Sequence, residues 1–364
     1  MSSEVADLAA ALVRIDSVNP TLIPGAPGEA EAADYVVGWL ARAGLEVEVV
    51  EPVSGRPSVI AVARGTGGGR TLLLNAHLDT VGTEAMESPF EARVEDGRLF
   101  GRVSYDMKGA LAAAMLAIKN AATMSLAGDV ILTAVADEEV ASLGTEAVLE
   151  RVTADAAIVC EPTELQVAIA HRGFAGFEIE THGVAAHGSR PDLGVDAIAK
   201  MGHVLVALEE LDRRLQAGRR HPLVGAGSLH ASLIQGGQEF SSYPARCLLT
   251  GERRTLPGET AAEIESDLRA AAGDAEVRLL VSRGPFEVDE AHELVQAVRA
   301  AAGTSGVVGV PFWTDAALVA AAGIPTVLFG PAGEGAHAAV EWVDVGSLER
   351  CREVYVAVAA AVCQ

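Results

Sequence analysis

The run Leu72-Leu73-Leu74-Asn75-Ala76-His77-Leu78-Asp79-Thr80 constrains this chain more than any other stretch. Five residues without a full charge lead into His77 and Asp79, so the run reads as a buried strand ending in two metal-competent side chains. Strand ends are where open α/β sheets keep their chemistry. Side chains alternate along an extended backbone, so His-x-Asp spacing places both groups on one side. Asp79 is then expected to accept one ring N–H of His77 and leave the other nitrogen free for a metal. Alone, such a pair is a common surface hydrogen bond, and the rest of the chain has to decide.

The pattern recurs. Val130 to Ala136 is a second apolar run and ends in Asp137-Glu138-Glu139, adjacent carboxylates that repel one another unless a cation or protons intervene. Ala156 to Cys160 ends in Glu161-Pro162-Thr163. Asp106 stands before an apolar, alanine-rich helix expected over 110–122. Capping is the ordinary role of such an aspartate, but a nearly uncharged helix is buried, which puts Asp106 at the inner edge of the core. A strand over 324–330 leads into a glycine-bearing loop with His337, and Glu341 lies beyond. Two histidines with several carboxylates suit Zn²⁺ or Co²⁺ better than thiolate-seeking metals. With a shared carboxylate the set fits two ions ~3.5–4 Å apart. One carboxylate must stay unligated as general base, and the neighbours Glu138 and Glu139 offer that division of labour.

Around these positions the spacing predicts helices over 3–16 and 29–43, the second stopping at Gly44, and strands over 45–50 and 58–63. A hairpin over 90–101 turns at Asp96-Gly97, and a last helix covers 345–362. Elements of this kind make an α/β layered domain. Residues 172–282 differ: strand, helix, two strands, helix, strand, the ferredoxin-like split order. The expected organisation is a domain of residues 1–171 and 283–364, split around an inserted domain of residues 172–282.

Charge narrows the partners. With 27 basic and 50 acidic residues the net charge is −23, a field that repels nucleic-acid phosphates and anionic membrane surfaces. Neither partner is expected. The N-terminus carries acids where a secretory signal has a positive segment, and no run of ~18 apolar residues suggests a membrane span. Cys160, Cys247, Cys351 and Cys363 show no CxxC spacing and read as reduced thiols of a cytoplasmic protein.

Taken together, Asn75-Ala76-His77-Leu78-Asp79, Tyr105-Asp106-Met107-Lys108-Gly109, Asp137-Glu138-Glu139, Glu161-Pro162-Thr163 and the His337 loop resemble one family over nearly the whole chain. It is that of acetylornithine deacetylase, succinyl-diaminopimelate desuccinylase, aminoacylase-1 and the glutamate carboxypeptidases, co-catalytic zinc amidohydrolases. The resemblance implies an α/β fold: a zinc-hydrolase domain with a mixed central sheet flanked by helices, and an inserted ferredoxin-like α+β lid and dimerisation domain. It implies two Zn²⁺, with Co²⁺ as a possible substitute. Asp106 would bridge them, His77 and Glu161 would complete one site, and Glu139 and His337 the other. Glu138 would be the general base, with Asp79 behind His77. His187, in Gly183-Val184-Ala185-Ala186-His187-Gly188-Ser189-Arg190-Pro191, would stabilise the oxyanion in a partner subunit's site, which makes the protein a homodimer. Arg254 would bind the substrate carboxylate. Ser241 stands where the family often has a substrate-contacting asparagine, and Val103 replaces the second glycine of a usual Gly-Arg-Gly.

The activity implied is deacylation of a small N-acyl amino acid, most nearly acetylornithine. Succinyl-diaminopimelate desuccinylase, or a dipeptidase or carboxypeptidase, remains open as an alternative. A catalytically silent metal-dependent binding protein is an alternative of another class, whose signature would be the loss of Glu138 or of a ligand. A structural interaction module would explain residues 172–282 but not the acids.

Overall fold

The computed structural model describes residues 3–83 and 86–364. Two compact units divide the chain: residues up to Ile169 with Val288–Val308 and Thr314–Gln364, and Ala170–Glu287 with Gly309–Trp313.

In the first unit, α1 (Glu4–Val13) begins at Ser3, whose hydroxyl accepts the Ala6 N–H at 3.2 Å. Helix α2 (Ala30–Arg42) is followed by Gly44 at φ +82°, the left-handed geometry that glycine adopts without strain. Strands β1 (Glu46–Val50), β2 (Ser58–Ala63) and β3 (Leu72–His77) come next. Then β4 (Arg93–Glu95) and β5 (Arg98–Phe100) form a hairpin about Asp96-Gly97, where both residues have positive φ. A single wide turn, Ser104–Lys108, delivers the chain to α3 (Gly109–Ala121). It is followed by β6 (Val130–Val135), α4 (Leu143–Leu149), β7 (Ala156–Val159) and β8 (Ala168–His171), in which the chain passes to the second unit.

The second unit runs β9 (Gly173–His182), α5 (Ala197–Ala217), the short pair β10 (Arg220–His221) and β11 (Gly225–Ala226), β12 (Ser228–Gly236), β13 (Arg246–Thr255), α6 (Ala261–Ala272), β14 (Glu276–Arg283) and β15 (Phe286–Glu287). Its four-stranded antiparallel sheet has the order β12-β13-β9-β14, which with α5 and α6 is the ferredoxin-like split arrangement. Alternate residues of β9, among them Ala175, Phe177 and Ile179, pack on Met201, Leu208 and Leu211 of α5 and on Ile264 and Leu268 of α6. Strand β12 is left at the edge, with Leu233 70% and Ile234 54% exposed.

The chain returns through α7 (Glu293–Ala302), β16 (Val308–Val310), α8 (Ala316–Ala321), β17 (Thr326–Leu328), β18 (Gly333–Glu334), β19 (Trp342–Asp344) and α9 (Val345–Val362). The central sheet of the first unit is mixed and has the order β1-β2-β6-β3-β7-β17-β8. Its middle strands β6, β3, β7 and β17 are parallel, while β1, β2 and β8 run against their neighbours. Strands β3, β6 and β7 are buried along their length, as parallel strands covered on both faces must be. Helix α3 is apolar all round because it lies between the sheet, α1 and α9. The sequence reading made β17 too long, 324–330 against Thr326–Leu328, and gave no strand to 342–344, which pairs with β5. Among the described residues no helix is long and apolar enough to cross a membrane.

Candidate metal centre

Strands β3, β6 and β7 are parallel neighbours, so their C-terminal ends open on one edge of the sheet. That edge gathers His77, Glu138, Glu139 and Glu161. Asp106 arrives from the turn before α3, and His337 from the loop between β18 and β19. His77 Nε2 lies 3.2 Å from Asp106 Oδ1 and 3.9 Å from Glu161 Oε1. His337 Nε2 lies 3.4 Å from Asp106 Oδ2 and 3.1 Å from Glu139 Oε2. Asp106 therefore stands between the two imidazoles, one oxygen toward each. His77, Asp106 and Glu139 offer ligand atoms within 4.8 Å of one another, and so do His77, Glu138 and Glu161.

The tautomer of His77 follows from its neighbours. Nδ1 lies 3.0 Å from the Asp79 carbonyl oxygen, which can only accept, so Nδ1 carries the proton and Nε2 turns its lone pair toward Asp106 and Glu161. A lone pair facing carboxylates is repelled unless the ring is protonated or a cation lies between them. Burial works against a proton on His77, yet the hydrogen bond with Asp106 and the charges of Glu161, Glu138 and Asp79 hold the ring well above its usual range. His337 is raised to about 10 by Asp106 and Glu139. Burial would raise Asp106, but hydrogen bonds from His337 and His77 hold it well below the carboxylate range. Burial, then Glu161 and Asp315, pushes Glu138 well up; burial, then Asp106, does the same to Glu161. Burial also raises Glu139. Clustered carboxylates with the Nε2 atoms of two imidazoles aimed among them form a nitrogen and oxygen donor set suited to divalent cations once the ring protons are displaced.

Asp79 departs from the sequence expectation. Its Oδ1 is 3.6 Å from His77 Nδ1, and the ring bonds to its backbone carbonyl instead. Strand β3 ends at His77, so the two-residue alternation no longer directs the side chain at 79. The carboxylate accepts the backbone N–H groups of Glu138 at 3.0 Å and Glu139 at 3.2 Å, and the Asn19 amide at 2.7 Å. Asp106 also differs from a cap. The residue before α3 is Lys108, whose side chain makes no capping bond, and Asp106 and Met107 have non-helical dihedrals. The Asp106 carboxylate is thus not spent on helix amides.

Several supports escaped the sequence reading. Glu341, 1% exposed, accepts the backbone N–H groups of Val103, Tyr105 and Asp106 and a bond from Arg102, fixing the backbone that carries Asp106. Its place four residues after His337 was visible, its role was not. Asp137, first of three adjacent acids, turns to Arg56 at 2.7 Å and not to the histidines. Asp315 is buried, accepts the Thr145 hydroxyl at 2.5 Å, and is pushed up to about 6 by burial. A side-chain carbon at Gly330 would lie 2.1 Å from the Glu161 carbonyl oxygen, so a glycine is required where the chain leaves β17.

His187, Ser241 and Arg254 belong to the second unit. His187 Nδ1 accepts the Ser189 N–H at 3.2 Å, which leaves the ring proton on Nε2. Ser241 uses its backbone carbonyl to accept the Gly188 N–H at 2.6 Å, so the His187 loop and the Ser241 loop are tied together. Arg254 Nε pairs with Glu252 at 2.7 Å, and its guanidinium lies 5.6 Å from the Phe174 ring centroid.

Comparison with known proteins gives a consistent picture. Residues 73–361 match the model of peptidase family M20/M25/M40. The chain is similar to N-formyl-4-amino-5-aminomethyl-2-methylpyrimidine deformylase of Halalkalibacterium halodurans, 30% identical over 388 residues that cover 93% of this chain and 90% of the relative. It is also similar to acetylornithine deacetylase of Myxococcus xanthus, 30% identical over 387 residues, covering 100% and 99%. In fold it resembles aminopeptidase PepT from Bacillus cereus, with a TM-score of 0.81 at 21% identity over 99% of this chain and 98% of that one.

Proposed function

The chain belongs to peptidase family M20/M25/M40 and is a metal-dependent hydrolase of amide bonds; on that premise we propose that it deacylates a small N-acyl amino acid, most nearly as acetylornithine deacetylase does. The observation that carries this reading is the placement of Asp106 between His77 and His337, with Glu161 and Glu139 on the two sides. The family is metal-dependent, with dinuclear metal sites. We assign the ions here as two Zn²⁺, replaceable by Co²⁺: Asp106 shared, His77 and Glu161 on one, Glu139 and His337 on the other. Bound there, such ions would lower the pKa of a water to ~7 and polarise the scissile carbonyl.

Glu138 is assigned as general base. Its carboxylate lies beside His77 and Glu161 without a guanidinium partner in that cluster, and it would take the proton of the attacking water and hand it to the departing amine nitrogen. Asp79 holds the backbone of Glu138 and Glu139 through their amides. His187, with Nε2–H available as donor, is assigned to the developing oxyanion in the site of a partner subunit. Arg254 is assigned to the substrate carboxylate, where a guanidinium fork would exchange Glu252 for substrate, and Ser241 to a neighbouring polar contact.

The second unit is assigned as lid and dimerisation domain of a homodimer, a reading supported by the apolar edge strand β12 with exposed Leu233 and Ile234. A cytoplasmic location is supported by four free, buried cysteines. The test is a hydrolysis screen of metal-loaded protein on N-acetyl, N-formyl, N-succinyl and dipeptide substrates, with Glu138→Ala and chelated protein as controls. Turnover of N-acetyl amino acids that both controls abolish is the expected result. Preference for N-succinyl or dipeptide substrates would move the chain to those branches, and inert protein that still binds metal would make it a binding protein.

A further inference from the structure

Behind the metal centre runs a buried chain of polar side chains for which the proposed reaction has no direct use. Arg56, 7% exposed, places Nε 2.6 Å from Glu29 Oε2 and Nη2 2.7 Å from Glu29 Oε1. The same Nη2 lies 2.7 Å from Asp137 Oδ1. Asn19 Nδ2 donates to that Asp137 oxygen at 3.0 Å and to Asp79 Oδ2 at 2.7 Å. The chain then closes on one short segment of backbone. The N–H of Asp137 goes to Glu29 Oε1 at 3.2 Å, that of Glu138 to Asp79 Oδ1 at 3.0 Å, and that of Glu139 to Asp79 Oδ2 at 3.2 Å. Three consecutive amides are thus held by carboxylates of one network, at a turn where Asp137 has φ +70° and its carbonyl accepts the N–H groups of Ala141 and Ser142.

Such an arrangement needs a cation to hold it. Glu29 and Asp137 share Arg56, and the Asp79 side chain is linked to that of Asp137 through the neutral amide of Asn19. Burial already pushes Glu29 above its usual range in spite of the guanidinium. Without Arg56, Glu29 and Asp137 would be buried carboxylates facing one another with no shared guanidinium between them, and their side chains would move apart. Movement of Glu29 releases the Asp137 amide, and movement of Asp137 frees the Asn19 amide that also holds Asp79, the acceptor of the other two amides.

We infer that Arg56 is a positioning residue for the Asp137–Glu139 turn: through Glu29, Asp137 and Asn19 it fixes the backbone that presents both Glu138 and Glu139 to the metal centre. The inference rests on the proposed roles of Glu138 as base and Glu139 as ligand. A residue acting through the turn affects chemistry and metal affinity together and leaves substrate binding alone, whereas a purely structural residue affects only the unfolding midpoint.

The test uses the full chain with Arg56→Met, Arg56→Lys and Glu29→Gln. Two quantities are read well below each variant's unfolding midpoint: kcat and KM on the substrate found by the hydrolysis screen, and the affinity of metal-free protein for Zn²⁺ or Co²⁺ alone by calorimetry. Arg56→Met is expected to lower both kcat and metal affinity by about 10- to 100-fold, the usual effect of losing a partner behind a ligand, with KM within about twofold. Arg56→Lys, which keeps the charge but not the fork, should recover part of the loss, and Glu29→Gln should fall between. The metal titration needs no turnover, so it reads Arg56 even if the substrate assignment fails. Wild-type kcat and metal affinity in Arg56→Met, with only a lower midpoint, would overturn the inference. If that variant does not fold, Glu29→Gln decides in the same way.

Discussion

Replacing Glu341 by glutamine tests whether the turn that carries Asp106 is held as described. The Glu341 carboxylate works as two acceptors: Oε2 takes Arg102 Nη1 at 2.7 Å and the Val103 N–H at 3.1 Å, and Oε1 takes the N–H groups of Tyr105 at 3.0 Å and Asp106 at 3.2 Å. Glutamine keeps one acceptor and turns an NH₂ toward the other pair of donors. The better orientation keeps the oxygen on Arg102, so the amides of Tyr105 and Asp106 lose their acceptor. Two buried donors left unpaired at about 1–3 kcal/mol each, partly relieved by small shifts of the turn, give an expected loss of roughly 2–4 kcal/mol. Alanine also removes the partner of buried Arg102, where breaking a buried pair costs about 3–5 kcal/mol, softened because Arg102 keeps bonds to the Gly82 and Ala338 carbonyls. The order in urea, read on metal-free protein, should therefore be wild type, Glu341→Gln, Glu341→Ala. Because the amides released belong to Tyr105 and Asp106, Glu341→Gln should also weaken Zn²⁺ binding by about tenfold. A glutamine variant within about 0.5 kcal/mol of wild type, with unchanged metal affinity, would refute the assignment of these bonds to the metal site.

Burial pushes the Asp315 carboxyl up to about 6 against an unfolded value of about 3.9, so the native state binds the extra proton between those values. This contribution makes metal-free protein more stable as pH falls through that window; Asp315→Asn should remove it and be more stable at neutral pH by roughly 2–3 kcal/mol. Parallel pH profiles of the two urea midpoints would count against this. Leu233→Lys combined with Ile234→Glu on the exposed edge of β12 should turn the proposed homodimer into a monomer in sedimentation, at little cost to the unfolding midpoint; a dimeric wild type whose variant stays dimeric would move the interface elsewhere.

What was legible in the sequence depended on periodicity. Strands β3 and β6 and helix α9 could be bounded closely because unbroken apolar runs or a steady 3.6-residue stripe leave one reading. The hairpin at Asp96-Gly97 could be read because both residues tolerate the positive φ they adopt. Where the chain leaves regular structure the signal stops. Asp79, two residues past the end of β3, obeys the amides of the turn after β6 and not the alternation of its strand. Arg56, between Gly55 and Pro57, looks like a solvated loop charge, and only the fold brings Glu29 and Asp137 against it. Val103 has φ +67° and is fully buried, so the position that the resemblance marks as glycine does adopt a left-handed backbone, held here by a β-branched residue.

The same limit explains why Asp137-Glu138-Glu139 could not be divided into roles from spacing alone. Three adjacent acids look equivalent in sequence, and their separation comes from where the buried guanidinium groups lie. Arg56 takes Asp137 and Glu29, and Arg102 takes Glu341, so these acids meet a fixed cation within the protein. Asp106, Glu138, Glu139 and Glu161 are gathered around imidazoles, whose charge depends on a proton. A buried carboxylate without a permanent countercharge is costly. Burial raises Glu138, Glu139 and Glu161, whose ionised forms a further cation would favour, whereas Asp137 and Glu341 each already pair with a guanidinium. On that physical ground the arginine-paired acids fit a scaffold and the histidine-facing acids fit the proposed roles of ligands and base, a division set by the positions of two guanidinium groups rather than by the acids themselves.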